Sequence, residues 1–374
     1  MSKESQGHLQ DETITLGGFP LDRINPPVFL AEIGGFFGQD LQLAKEMIER
    51  IIACGRDVPD QPMVLKTEIL HDPDVCLPGP TMETYASKAG DVAQENYRSL
   101  IERKVLPLPH YAILFEICRD AGTPFITSVY DFEGADFAAE QGVSALKIAS
   151  GNIVHIPLIR HCAKLCADRN LPLLIDTGRA SLAEVERAVT TARASGAAVV
   201  VEHSPDGHPA LPKAHNLRIM QTYKQAFGCP VGLSDHHTGL EMIYMAVALG
   251  AELIEKGVHV APDDLDIDIS HTMDMADLTR VLQSVHDCWL AMGMAHRDRS
   301  KQIEGVIGTS QRACLVAARN LAPGDGINLQ TVRFAWPCEG VPVEHWDLVN
   351  GWRVVNTVTV GRPITWSDIQ RIDD

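Results

Sequence analysis

The stretch ALKIASG (145–151) ends an apolar run in Lys147 and follows it closely with Ser150 and Gly151. An ammonium, a hydroxyl donor and a glycine that lets the backbone approach closely suit a phosphate. Taken alone, the stretch reads equally as a strand with one snorkelling lysine that ends in a turn. The functional reading gains weight because other apolar runs end alike. VFLAEIG (28–34) carries Glu32, MVLKTEIL (63–70) carries Lys66 and Glu68, and TPFITSVYD (123–131) carries Ser128 and Asp131. LPLLIDTG (171–178) ends at Asp176, AAVVVEHS (197–204) at His203 and Ser204, and CPVGLSDHH (229–237) at Ser234, Asp235, His236 and His237. AELIEKGVHV (251–260) supplies Glu255, Lys256 and His259.

Two lysines and several hydroxyls in one place predict a phosphorylated or carboxylated ligand. Histidines beside carboxylates predict either a divalent metal or a proton shuttle. Glu32 and Asp131 are equally suited to pairing with the lysines as rim ion pairs. Neighbours on a strand point to opposite faces, so at most one of His236 and His237 enters a shared pocket. The run DDLDIDIS (263–270) has the oxygens to chelate a cation, although an acidic surface loop is the commoner case.

For these groups to meet, their strands must end on one face. All eight runs are rich in Val, Ile, Leu and Ala without period-two alternation, as strands covered on both faces should be. Helical patterns separate them. Leu41, Leu43, Ala44, Met47, Ile48 and Ile51 recur at helical spacing before Gly55, and further helices are expected near 93–103, 109–121, 156–168, 215–227, 239–249 and 278–293. The clearest is 181–196, with Ser181 as N-cap, Glu184 at the capping-box position and Gly196 at the end. Eight such units predict a (β/α)8 TIM barrel, whose active site gathers at the C-terminal ends of its strands. An open doubly wound sheet is the second choice, weakened by the lack of a GxGxxG crossover. The expected organisation is an N-terminal arm (1–27), the barrel (28–294), a polar linker (295–310) and a small β-rich domain (311–374). Residues 71–92 form a long proline-containing insertion, of the kind that is functional or mobile.

The chain has 374 residues, 45% hydrophobic and 22% charged, which describes an ordinary globular protein. Its formal net charge of −17 argues against nucleic acid or an anionic membrane as partner, so a pocket for an anion must be locally basic. Nine cysteines are scattered without a CxxC pair, and Cys162 and Cys166 read as core thiols of one helix. A reduced, cytoplasmic setting is expected. The opening MSKESQGHLQDE has no apolar signal-peptide core, and no run approaches the length of a membrane span.

With AEIG (31–34), KIASGNIVHIPLI (147–159), NLRIMQTYKQAFGCPVGLSDH (216–236) and AVALGAELIEK (246–256) in this order, the chain resembles the N-acetylneuraminate (sialic acid) synthase family. QRACLVAARNLAPGDGI (311–327) and VGRPI (360–364) resemble that family's C-terminal antifreeze-like (SAF) domain. The resemblance implies a TIM barrel followed by an SAF domain, and condensation of phosphoenolpyruvate with an aldose aldehyde to a 2-keto-3-deoxy sugar acid. It implies that Lys66 and Lys147 bind phosphoenolpyruvate together with Ser128, Ser150, Ser234 and Glu32. Asp176 takes the place of a family serine near the acceptor, and Asp268 takes the place of a family Asp-His pair. The resemblance further implies a divalent metal, Mn2+ or Mg2+, on His236 and a second histidine. It also implies a domain-swapped homodimer in which Arg312 reaches the sugar in the partner's site.

Departures fall on the metal and acceptor side. IEKHF in the family reads IEKGV here, so Gly257 stands at the second metal histidine, and His259 is the expected substitute by strand period. NHNG becomes GFFG (35–38), STPFD becomes TSVYD, STGM becomes DTGR, and HC becomes His203–Ser204. The expectation is a divergent synthase with a different acceptor or altered metal use. The alternatives are a lysine-dependent aldolase with Lys147 as Schiff-base nucleophile and a non-catalytic sugar-acid-binding relative.

Overall fold

Eight parallel strands make up the core of the first of two units: β1 (Val28–Gly34), β2 (Met63–Ile69), β3 (Phe125–Val129), β4 (Leu146–Ile148), β5 (Pro172–Asp176), β6 (Ala198–His203), β7 (Val231–Asp235) and β8 (Leu253–His259). Each pairs with the next, and β8 pairs with β1, so the sheet closes into a barrel. The computed structural model describes residues 13–296 and 311–372. The chain divides into Met1–Gly293 and Met294–Asp374. The linker expected at 295–310 lies almost wholly outside the described residues, as does the start of the expected arm.

Side-chain period two decides what fills the barrel. Inward positions near the strand starts are apolar: Leu30, Val64, Ile126, Ala145, Leu174, Val200 and Leu253 form one buried cluster with Leu16 and Leu21 of the N-terminal segment. Two residues further along each of those strands the inward position is polar: Glu32, Lys66, Ser128, Lys147, Asp176, Glu202 and Glu255, all buried. β7 follows the same pattern with Gly232 and Ser234. A Cβ at Gly232 would lie 2.7 Å from the Leu253 Cβ, so Leu253 fills the space a side chain would need. Outward residues such as Phe29, Leu65, Ile148, Ile175, Val201 and Leu233 pack beneath the helices.

Those helices are α1 (Leu41–Asp57), α2 (Leu108–Ala121), α3 (Phe132–Glu140), α4 (Ile156–Arg169), α5 (Leu182–Ala194), α6 (Ile219–Phe227), α7 (Glu241–Ala248) and α8 (Leu278–Met292). α5 begins with the expected capping box of Ser181 and Glu184. Asp131 caps α3, accepting from the Gly134 N–H at 2.6 Å. The insertion after β2 is an antiparallel hairpin, Met82–Ala86 with Val92–Asn96, so the helix expected from 93 begins only at Tyr97 and runs to Glu102. Cys162 and Cys166 are buried, unpaired thiols on α4. No helix among the described residues is long and apolar enough to cross a membrane.

The second unit is built from short strands. Cys314–Ala317 pairs with Val332–Ala335, and Arg353–Val354 with Ile369–Gln370, both antiparallel. Leu315, Leu321, Ile327, Val341, Val358 and Ile364 give it a core of its own.

Candidate active site

A cleft of about 960 Å3 opens at the C-terminal ends of the barrel strands. Glu32, Lys66, Ser128, Lys147, Ser150, Asp176, Ser234, His236 and Asp268 all line it. His259 does not. Arg312 belongs to the second unit, where its guanidinium meets Glu344 at 2.9 Å.

The two lysines are buried and held by acids. Lys147 Nζ lies 2.7 Å from Glu255, 2.9 Å from Glu202 and 3.1 Å from Asp176. Lys66 pairs closely with Glu32, and lies 3.2 Å from Glu68 and 3.6 Å from Glu255. Burial works against both ammoniums, but the carboxylates outweigh it and hold each lysine above its usual range. Burial also raises the acids. Glu32 and Glu202 are both pushed up to about 8, whereas Lys147 and Lys66 overcome burial at Glu255 and hold it below the usual range. Ser234 Oγ donates to Glu255 at 3.0 Å. Ser128 Oγ is buried with no hydrogen-bond partner among the described residues, which leaves a donor for a ligand.

Beside this cradle stand three histidines, His208, His236 and His271, whose ring nitrogens lie within 4.8 Å of one another. Burial pushes His236 and His271 well below the ordinary imidazole value, so both are neutral, as metal ligands must be. His271 Nδ1 is buried without a partner. Neutral rings, an orphaned nitrogen and mutual proximity fit a divalent cation.

His259, the expected second ligand, stands apart from this cluster, although its Nε2 is also buried without a partner. It ends β8, and its Nδ1 turns back to accept from the Ala261 N–H at 3.0 Å, outside the three-histidine cluster. Gly257, the position of the family histidine, faces a filled space. A Cβ there would lie 3.0 Å from Thr272 Cγ2 and 3.1 Å from Phe36 Cζ. Phe36 of the GFFG loop is buried, with its ring edge-to-face against His271 at 6.0 Å.

Other strand ends sort by period. His237 Nδ1 contacts the Ala210 carbonyl at 3.1 Å, on the other side from His236. His203 also faces out, its ring against Tyr223 and its Nε2 on the His215 carbonyl. The inward group of β6 is therefore Glu202, which strand alternation from Val200 could have identified. The acidic run 263–270 is no free surface loop. Lys104 is buried and pairs with Asp266 at 2.9 Å and closely with Asp268, while Arg103 meets Asp266 at 2.6 Å. Lys88 of the hairpin donates to the Thr272 carbonyl. Nothing in the local sequence marks His208 or His271 as site residues, because both come from loops.

This chain belongs to the NeuB family: the family model matches residues 65–297, and the SAF domain model matches 312–370. The N,N'-diacetyllegionaminic acid synthase of Legionella pneumophila is 28% identical over 346 residues, covering 91% of this chain and 94% of that protein. The enzyme of the same name from Campylobacter jejuni is 26% identical over 324 residues, covering 86% and 93%. The crystal structure of N-acetylneuraminic acid (sialic acid) synthetase from Leptospira borgpetersenii matches with a TM-score of 0.65 at 25% identity, covering 80% of this chain and 96% of that one.

Proposed function

We propose that the protein condenses phosphoenolpyruvate with an aldose aldehyde, giving a 2-keto-3-deoxy sugar acid of the sialic or nonulosonic type and inorganic phosphate. The observation that carries this reading is the buried Lys66–Lys147 pair opening into the same cleft as the three-histidine cluster. Lys66 and Lys147 would hold the phosphate and carboxylate, with Ser128, Ser150 and Ser234 as further donors. A divalent cation, Mn2+ or Mg2+, on His208, His236 and His271 would polarise the acceptor's aldehyde oxygen.

C3 of phosphoenolpyruvate bonds to the aldehyde carbon, and the aldehyde oxygen takes a proton to become a hydroxyl. Water adds at C2, and the C2–O bond to phosphate then breaks to leave the ketone. The lysines offset the charge of the departing phosphate. Glu32, against Lys66, and Asp268, against Lys104, both line the cleft and would be the two acids for proton transfer. Arg312 of a swapped partner subunit would complete the acceptor site.

A Schiff base on Lys147 needs a neutral amine, which its three carboxylate partners oppose. Borohydride trapping with pyruvate tests that alternative. The main test is phosphate release from phosphoenolpyruvate across a panel of N-acylated, deoxy, plain and phosphorylated aldoses, with and without Mn2+. Aldehyde-dependent release that chelator abolishes supports the proposal. Binding of phosphoenolpyruvate without turnover of any aldehyde favours a sugar-acid-binding role, and no binding at all overturns the synthase reading.

A further inference from the structure

The lysine cradle is over-compensated. Five carboxylates, Glu32, Glu68, Asp176, Glu202 and Glu255, face two ammoniums, Lys66 and Lys147. Fully ionised, that layer is anionic, and a trianionic ligand would be repelled by the groups that surround its binding lysines. Asp176, Glu32, Glu68 and Glu255 line the cleft, but Glu202 lies beneath it with no exposed surface. Among the described residues its carboxylate has Lys147 Nζ, at 2.9 Å, as its cationic partner, and no backbone N–H or hydroxyl donates to either oxygen. A buried carboxylate with so few donors is poorly stabilised in its charged form.

Resting on the synthase reading, we propose that Glu202 is a positioning residue that must carry a proton for Lys147 to take the anionic substrate. As a neutral acid, Glu202 leaves Lys147 its charge to offer upward. As a carboxylate, it competes from below with the incoming anion. The groups around it are Asp176 on β5, Lys147 on β4, Glu255 on β8, and Lys66 with Glu32 beyond. From β7 only the uncharged Ser234 faces this layer, since His203 on β6 and Asp235 on β7 point outward. Burial already pushes Glu202 up to about 8, and a bound anion pushes it further in the same direction. Glu32, also pushed up to about 8, adds a second proton to the balance.

The consequence is a pH ceiling on binding. Affinity for phosphoenolpyruvate, measured by calorimetry in chelator so that no cation enters, should hold to about pH 8. Above that it should fall by up to roughly tenfold per pH unit for each proton required. E202Q, neutral at every pH, removes one of those protons. It should bind within about threefold of wild type at pH 7 and at least about tenfold more tightly than wild type at pH 9.5. Should E202Q not fold, E202M, uncharged and of similar length, takes its place with the same expected outcome. At pH 8.5 the wild-type heat of binding must change with the ionisation enthalpy of the buffer, because protons are taken up. An unchanged pH profile in E202Q, or a buffer-independent heat, overturns the role of Glu202 and leaves the synthase reading standing. Failure of wild type to bind phosphoenolpyruvate at any pH overturns both.

Discussion

Gly257 and His271 are two halves of one rearrangement. At 257 the backbone faces Phe36 and Thr272 at distances too short for a side chain to enter freely. The imidazole that would complete a metal site with His236 comes instead from the following loop, as His271, with Phe36 packed edge-on against it. The apolar GFFG loop and the missing strand histidine thus fit each other. H271A should weaken Mn2+ binding by at least about tenfold in a chelator-competition titration, on the scale that loss of even an outer partner costs a metal site. H259A should leave Mn2+ binding unchanged. The reverse pattern would return the second ligand to the end of β8.

At the scale of elements, the loop between β8 and α8 contains no long helix or strand, yet it must present His271 accurately. Its hold comes from the β2–α2 insertion, through Lys104 and Arg103 on Asp266, Lys104 on Asp268, and Lys88 on the Thr272 carbonyl. Lys104 is buried, so K104M leaves Asp266 with the partly exposed Arg103 as its cationic partner and the Asp268 N–H as a neutral donor. A loss of about 3 kcal/mol in urea-induced unfolding is expected, at the lower end for a broken buried pair because Asp268 is partly exposed. Mn2+ affinity should fall in the same variant although no ligand is touched. Full metal affinity in a folded K104M protein would show that the loop holds its shape without the clamp.

For the whole molecule, the buried acids set the pH of greatest stability. Asp235 and Asp266 are buried, but Lys256 and Lys104 hold them below the ordinary value of 3.8. The stability they contribute is present above that value and lost as pH falls through their folded-state values. Glu32 and Glu202 act in the opposite sense. Raised from 4.5 to about 8, they keep protons in the folded state that the unfolded chain has released, so stability declines across that interval as pH rises. Thermal unfolding of the metal-free protein should therefore give its highest Tm on the mildly acidic side of neutrality. The Tm should fall steadily to about pH 8, and the fall should be shallower in E202Q. His236 and His271, held well below 6.5, make stability rise with pH only up to about that value, so a Tm that still rises from pH 7 to 8 would mean that these acids are ionised in the folded protein.

Much of this protein was legible from local signals. Apolar runs without alternation, separated by helical spacing, are enough to expect a barrel, since strands covered on both faces need helices around them. Lysines and serines near the ends of those runs mark the cradle, because strand period carries every second residue to the inside. That same period, followed from Val200, reaches Glu202 rather than His203, so the charge balance of the cradle was also within reach. The hairpin in the insertion was less visible, its strands lacking a buried face to impose a pattern. The three-histidine cluster was decided by tertiary structure alone. His208 and His271 lie on loops, where no periodicity fixes direction; packing by Phe36 and ion pairs across the insertion hold the His271 loop, and the His208 ring packs against His236 and His271. Sequence by itself determined the strands and what they point inward; the closed barrel decided which loop groups meet above them.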